Sequence, residues 1–123
     1  MTWIQVLTAR EQGRLDALSV ERGVAQETLM DSAGTHAAAW MLSHRAFERV
    51  LVFAGPGGNG GDGFVVARRL IEAGKHVQTI SRSTMDDLSE TPRMMADRLC
   101  AVGGRIDSLP ARMRCEVLAH DLA

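Results

Sequence analysis

Nine consecutive residues, Gly55-Pro56-Gly57-Gly58-Asn59-Gly60-Gly61-Asp62-Gly63, include six glycines. The apolar run before them, Val50-Leu51-Val52-Phe53-Ala54, reads as a buried strand. The stretch Phe64 to Ala73 reads as an amphipathic helix, with Val66, Ala67, Leu70 and Ile71 facing a sheet and Gly74 as its stop. A bare backbone between strand and helix lets N–H groups approach a ligand, and a helix N-terminus adds positive partial charge. Asp62 narrows the function further. A loop that only cradles phosphate gains nothing from a carboxylate that repels it. The loop Gly55–Gly63 therefore reads as a place where chemistry or cation binding occurs beside a nucleotide.

The flanking sequence predicts the frame around this loop. Thr8-Ala9-Arg10-Glu11 is a capping box that opens a helix running to about Arg22, with Leu15 and Leu18 as its apolar stripe and Gly23 as its end. A second helix is expected from Gln26 to His44, with Leu29, Met30, Ala33, Ala37, Trp40 and Met41 on one face. Gly34 inside it costs helix stability and marks a close approach by another backbone. His76–Ser81 is a second strand. Thr91-Pro92 opens a third major helix, with Pro92 at its first position and Met95, Leu99 and Val102 as its buried stripe. Gly103-Gly104 ends that helix, Arg105–Leu109 reads as a short strand, and Cys115–Asp121 reads as another. Strands and helices alternating at this spacing imply parallel pairing through right-handed crossovers. The expected fold is α/β: a doubly wound Rossmann-like three-layer sandwich, preceded by two helices and incomplete at its C-terminus. The central strand is expected to be Val50–Ala54. Such sheets usually hold more strands than are found here, so the chain reads as a fragment forming one partial domain over residues 1–123.

Composition removes several classes. A net charge of −1 with one lysine, Lys75, argues against nucleic-acid binding, and the absence of tyrosine argues against base stacking. No membrane-length apolar stretch or signal peptide is visible. Cys100 and Cys115 lack metal-ligand spacing, which suits a reduced, cytoplasmic protein. His36 and His44, the pair Met94-Met95, the pair Trp40-Met41 and the pair Arg68-Arg69 read as surface or packing residues, the methionines and Trp40 in the core and the arginines on a solvated helix face.

Gly55-Pro56-Gly57-Gly58-Asn59-Gly60 also fits the dinucleotide fingerprint in its strand–loop–helix setting. The acidic ribose ligand expected about 20 residues later is replaced by Ser81-Arg82. Arg82 could pair with a 2′-phosphate, so an NADP-linked oxidoreductase module stays open. The P-loop is excluded because no Gly-Lys-Ser/Thr follows the glycines.

The full nine-residue string closely resembles the signature of the NAD(P)H-hydrate epimerase family, the YjeF-type N-terminal domain, whose loop usually reads Gly-Pro-Gly-Asn-Asn-Gly-Gly-Asp-Gly. Gly58 stands here where the first asparagine is usual. Val6-Leu7-Thr8 with Asp16 resembles the family's opening helix. Leu29-Met30-Asp31-Ser32-Ala33-Gly34 is similar to its Leu-Met-Glu-Asn-Ala-Gly segment. Cys115-Glu116-Val117-Leu118-Ala119-His120-Asp121 looks like a variant of the strand ending in Val-Asp-Ala.

The resemblance implies an isomerase that interconverts the R and S forms of NADHX and NADPHX in nicotinamide cofactor repair. It implies substrate contacts at Gly58, Asn59, Gly60, Gly61 and Asp62, and a potassium ion held by Asn59 and Asp121. No catalytic residue is assigned. The implied partners are the small-molecule substrate, a second copy in a homodimer, and an ADP- or ATP-dependent dehydratase that consumes one epimer and could be fused to this domain in the parent protein. As a fragment, the chain alone is expected to show little epimerase activity. A non-catalytic nucleotide-binding or scaffold domain of the same fold is the alternative.

Overall fold

The computed structural model describes residues 6–109. The elements run α1 (Ala9–Glu21), α2 (Gln26–His44), β1 (Arg49–Ala54), α3 (Gly58–Glu72), β2 (His76–Ser81), a single 3-10 turn (Met85–Asp87), α4 (Glu90–Ala101) and β3 (Ile106–Ser108). The expected strand Cys115–Asp121 lies outside the described residues.

The three strands pair in the order β1-β2-β3. Both pairs are parallel, with Val52 opposite Thr79 and Ile80 opposite Asp107. The expected α/β architecture with parallel crossovers is what forms. Among the described residues β1 lies at one end of the sheet rather than in its centre.

α3 packs on the sheet and is flanked by α2 and α4. Its Phe64, Val65, Ala67 and Leu70 are fully buried. The helix is covered on several sides at once, so its buried set is wider than one amphipathic stripe, and Val66 and Ile71 are only partly buried. α4 contributes Met95, Ala96 and Leu99, and α2 contributes Met30. Each large side chain here removes enough apolar surface to favour folding by about 1.5–3 kcal/mol. Residues of β1 that point away from α3 stay partly exposed, Leu51 at 40% and Phe53 at 39%.

Several local expectations need correction. α1 forms with the expected capping box: the Thr8 hydroxyl accepts from the Glu11 amide at 3.2 Å, and the Thr8 amide donates to Glu11 Oε2 at 2.8 Å. Yet none of its residues is buried, and Leu15 and Leu18 are exposed. The buried face of α2 is Met30, Gly34 and Ala38, and Trp40 is exposed and stacked on His44. The face is rotated from the expected one because Gly34, not a large apolar residue, marks the contact with α3. Pro92 is not the first residue of α4. Ser89 is its N-cap and Pro92 sits third, still within the turn whose amides have no helical partner. Val102 caps α4 and is exposed, so it is not part of the buried stripe.

Arg68 and Arg69 are not a solvated face. Arg68 pairs with Asp31 of α2, and its side chain is 13% exposed. Arg69 reaches the other Asp31 oxygen at 3.3 Å, and Arg98 of α4 bonds Glu27 at 3.0 Å. This network ties α2, α3 and α4 together on one side of the apolar core.

Candidate functional site

β1 delivers the chain to the C-terminal end of the parallel sheet, where open α/β sheets bind ligands. The turn there is shorter than the sequence suggests. α3 begins at Gly58, so only residues 55–57 form the loop, and Gly58, Gly60, Gly61 and Gly63 lie inside the helix. Gly57 has φ +85°, a conformation that disfavours any side chain. The glycines after it serve packing rather than turning. A Cβ at Gly60 would collide with the Gly55 carbonyl, and one at Gly61 would strike the Met30 sulfur and lie 3.2 Å from Pro92 Cα. The first turns of α3 are thereby pressed against β1, α2 and α4, and the Gly60 amide donates to the Gly57 carbonyl at 3.2 Å.

The predicted substrate residues separate by environment. Gly58 is the first residue of α3 and is exposed. A Cβ placed on it would meet nothing within 4 Å, so packing does not demand glycine there. Asn59 follows in the first turn. Gly60 and Gly61 are buried. Asp62 is partly buried and lines a cleft of about 910 Å³ between α1, α2 and the start of α3. Burial, and then the charge of Asp16 on α1, push the Asp62 carboxyl above the ordinary aspartate value. Asp121 lies outside the described residues. Among the described residues no group of three or more His, Cys, Asp or Glu side chains converges on a metal position.

Sequence reasoning did not assign the other polar walls of this cleft. Gln12 and Asp16 line it from α1, and Ser32 and His36 line it from α2. Gln12 Nε2 donates to Asp16 Oδ1 at 2.8 Å, and Ser32 Oγ lies 3.5 Å from His36 Nδ1. Both pairs are spaced i, i+4, which places each on one helix face; that spacing was the available signal. Arg82, the candidate 2′-phosphate ligand, is exposed just after β2, and its amide donates to the Ala54 carbonyl at 2.9 Å. It therefore sits at the same end of the sheet as the glycine-rich turn.

The fold is a parallel α/β domain with a glycine-rich strand-to-helix turn at the C-terminal end of its sheet and the Asp62 carboxylate in the helix that follows. Residues 26–119 match the family described as YjeF-related protein N-terminus, and the chain belongs to that family. It is 40% identical over 92 residues to a bifunctional NAD(P)H-hydrate repair enzyme of Thermanaerovibrio acidaminovorans, covering 74% of this chain and 18% of that protein. It is 35% identical over 99 residues to the NAD(P)H-hydrate epimerase of Lentilactobacillus buchneri, covering 78% of this chain and 46% of that one. The crystal structure of yeast ynu0 superposes with a TM-score of 0.70 at 24% identity, over 85% of this chain and 47% of the yeast chain, and shows the shared fold. The chain thus spans about half or less of these relatives. Among the described residues no helix is long and apolar enough to cross a membrane.

Proposed function

We propose that this chain carries the first part of an NAD(P)H-hydrate epimerase domain and binds hydrated nicotinamide dinucleotides at the start of α3. The observation that carries the reading is Asp62, partly buried on the cleft wall in the first turns of a glycine-rich helix. Epimerisation at ring carbon 6 requires the hydroxyl to leave and water to return on the other face. A carboxyl group whose proton is held above the usual range can donate to the leaving oxygen and take the proton back. The amides of Gly58 and Asn59 and the positive end of α3 suit the anionic part of the dinucleotide.

The same reading assigns substrate contacts to Gly58, Asn59, Gly60, Gly61 and Asp62. It assigns a potassium ion to Asn59 and Asp121. That donor set is all oxygen, one amide and one carboxylate, which fits a hard, singly charged cation. When bound, such an ion supplies positive charge near the substrate's phosphates and polar groups. A cytoplasmic setting, a homodimer and a dehydratase partner belong to this reading too; the free, exposed Cys100 is consistent with a reducing compartment.

The test is a chimaera in which this chain replaces the matching part of the Lentilactobacillus buchneri epimerase. The R-to-S ratio of NADPHX is followed by chromatography. The chimaera is expected to bring the epimers to equilibrium, the chain alone to do so slowly, and Asp62→Asn in the chimaera to lose on the order of 10²–10⁴ in rate. A folded chimaera that leaves the ratio unchanged rejects the reading in favour of a non-catalytic nucleotide-binding domain. Arg82 at the same end of the sheet favours the NADP form of the substrate. Arg82→Ala should weaken binding of NADPHX more than of NADHX.

A further inference from the structure

α1 is held by little that burial explains. None of its residues is buried, and Leu15, Leu18 and Val20 are all exposed. What it brings to the rest of the molecule lies on the cleft. Asp16 lines the same cleft as Asp62 from the opposite helix, near enough for its charge to act on Asp62. The Gln12 amide holds Asp16 Oδ1 at 2.8 Å. Among the described residues no arginine or lysine lines this cleft, and the other titratable group on it is His36 of α2. Two carboxylates therefore face a common space that holds no arginine or lysine and one imidazole, His36, an arrangement that a cation in the cleft would relieve.

We propose that Asp16 is a second substrate-facing carboxylate, which with Asp62 selects a ligand ring that carries or develops positive charge. The inference rests on reading the cleft as a hydrated-nicotinamide site. In that reaction the Asp62 carboxyl proton passes to the hydroxyl oxygen on ring carbon 6. The carbon–oxygen bond breaks and water leaves. The lone pair of the ring nitrogen forms a double bond to carbon 6, so the ring holds one positive charge and Asp62 one negative charge. Water then adds to the opposite face and returns its proton to Asp62. No electrons enter or leave. The Asp16 side chain faces the cationic ring across the cleft, so it stabilises the charge that exists only between the two epimers. Its position on an otherwise weakly packed helix gives α1 a role in the site.

Oxidised and reduced cofactor supply the probe, because NADP⁺ carries a cationic ring and NADPH a neutral one. Calorimetric titration of each into the full chain at constant salt gives the ratio of the two affinities. The expected result is NADP⁺ bound roughly three- to tenfold more tightly, the scale of one ion pair near a protein surface. Asp16→Asn should bring the ratio close to one, Asp16→Glu should keep it, and Glu21→Gln, the same charge change elsewhere on α1, should leave it as in the parent. Equal binding of both forms by the parent, or an unchanged ratio in Asp16→Asn, overturns the proposal while leaving the nucleotide site intact. Loss of the preference in Asp16→Glu as well overturns it by showing that charge is not what Asp16 supplies. Binding of neither form rejects the site itself, and the proposal with it.

Discussion

Gly34→Ala isolates the contact that seats the start of α3. A Cβ at this position would collide with Cβ and Cγ1 of Val65 and lie 2.9 Å from the Asp62 carbonyl oxygen. Neither neighbour can swing away: one is a side-chain root on a fully buried residue, the other is backbone. Two effects oppose each other. Alanine is favoured over glycine in a helix interior by about 1 kcal/mol. Overpacking a rigid contact costs about 1–3 kcal/mol, and anchored neighbours put this site at the upper end. The net expectation is a loss of about 2 kcal/mol, which for a domain of this size lowers the melting temperature by roughly 8 °C. Urea unfolding followed by circular dichroism measures it, with an unchanged slope and a lower midpoint. Gly13→Ala is the control, because nothing lies within 4 Å of a Cβ there; it should cost nothing and can gain a fraction of the helix preference. If Gly34→Ala proves as stable as the parent, α2 and α3 do not touch as described, and the wall that positions Asp62 is wrong.

Asp31→Asn should lower stability by about 2 kcal/mol in the same assay, because it leaves Arg68, whose side chain is 13% exposed, without its carboxylate. Gly58→Asn restores the residue usual in the family at a position with open space around it. It should fold as the parent does and bind NADPHX more tightly by about 1 kcal/mol by calorimetry. Asp62 gives a pH signature. Its folded value is raised above 3.8, so between that value and the folded one the native state holds more protons than the unfolded chain. Stability must therefore fall as pH rises through this window. Asp62→Asn should flatten that part of a pH series of urea midpoints, and a steeper fall in the variant would contradict the assignment.

Much of the frame is legible in the sequence because local signals and tertiary packing agree. The capping box at Thr8 and Glu11, the spans of α2 and β2, and the meaning of Gly34 all follow from residues close in sequence. The differences arise where packing overrides local preference. Glycine is a poor helix former, so Gly58–Gly63 reads as loop. Here the helix starts early because only glycine lets it press against Gly55, Met30 and Pro92. The face of α2 is misleading for the same reason, since a glycine contact leaves no apolar signal and Trp40 supplies a false one. Arg68 reads as solvated because its partner, Asp31, lies 37 residues away. At the site, the glycine motif points to the right helix start and to Asp62. The contribution of α1 depends on how a separate helix is laid across the cleft, which no local pattern encodes.

The most direct measurement is an amide NMR titration of the isotope-labelled chain with NADPHX. A hydrated-nicotinamide site at the start of α3 predicts that the largest shifts fall on the amides of residues 57–62 and on Gln12 and Asp16 across the cleft. Shifts confined to other surfaces, or none at millimolar ligand, would contradict it.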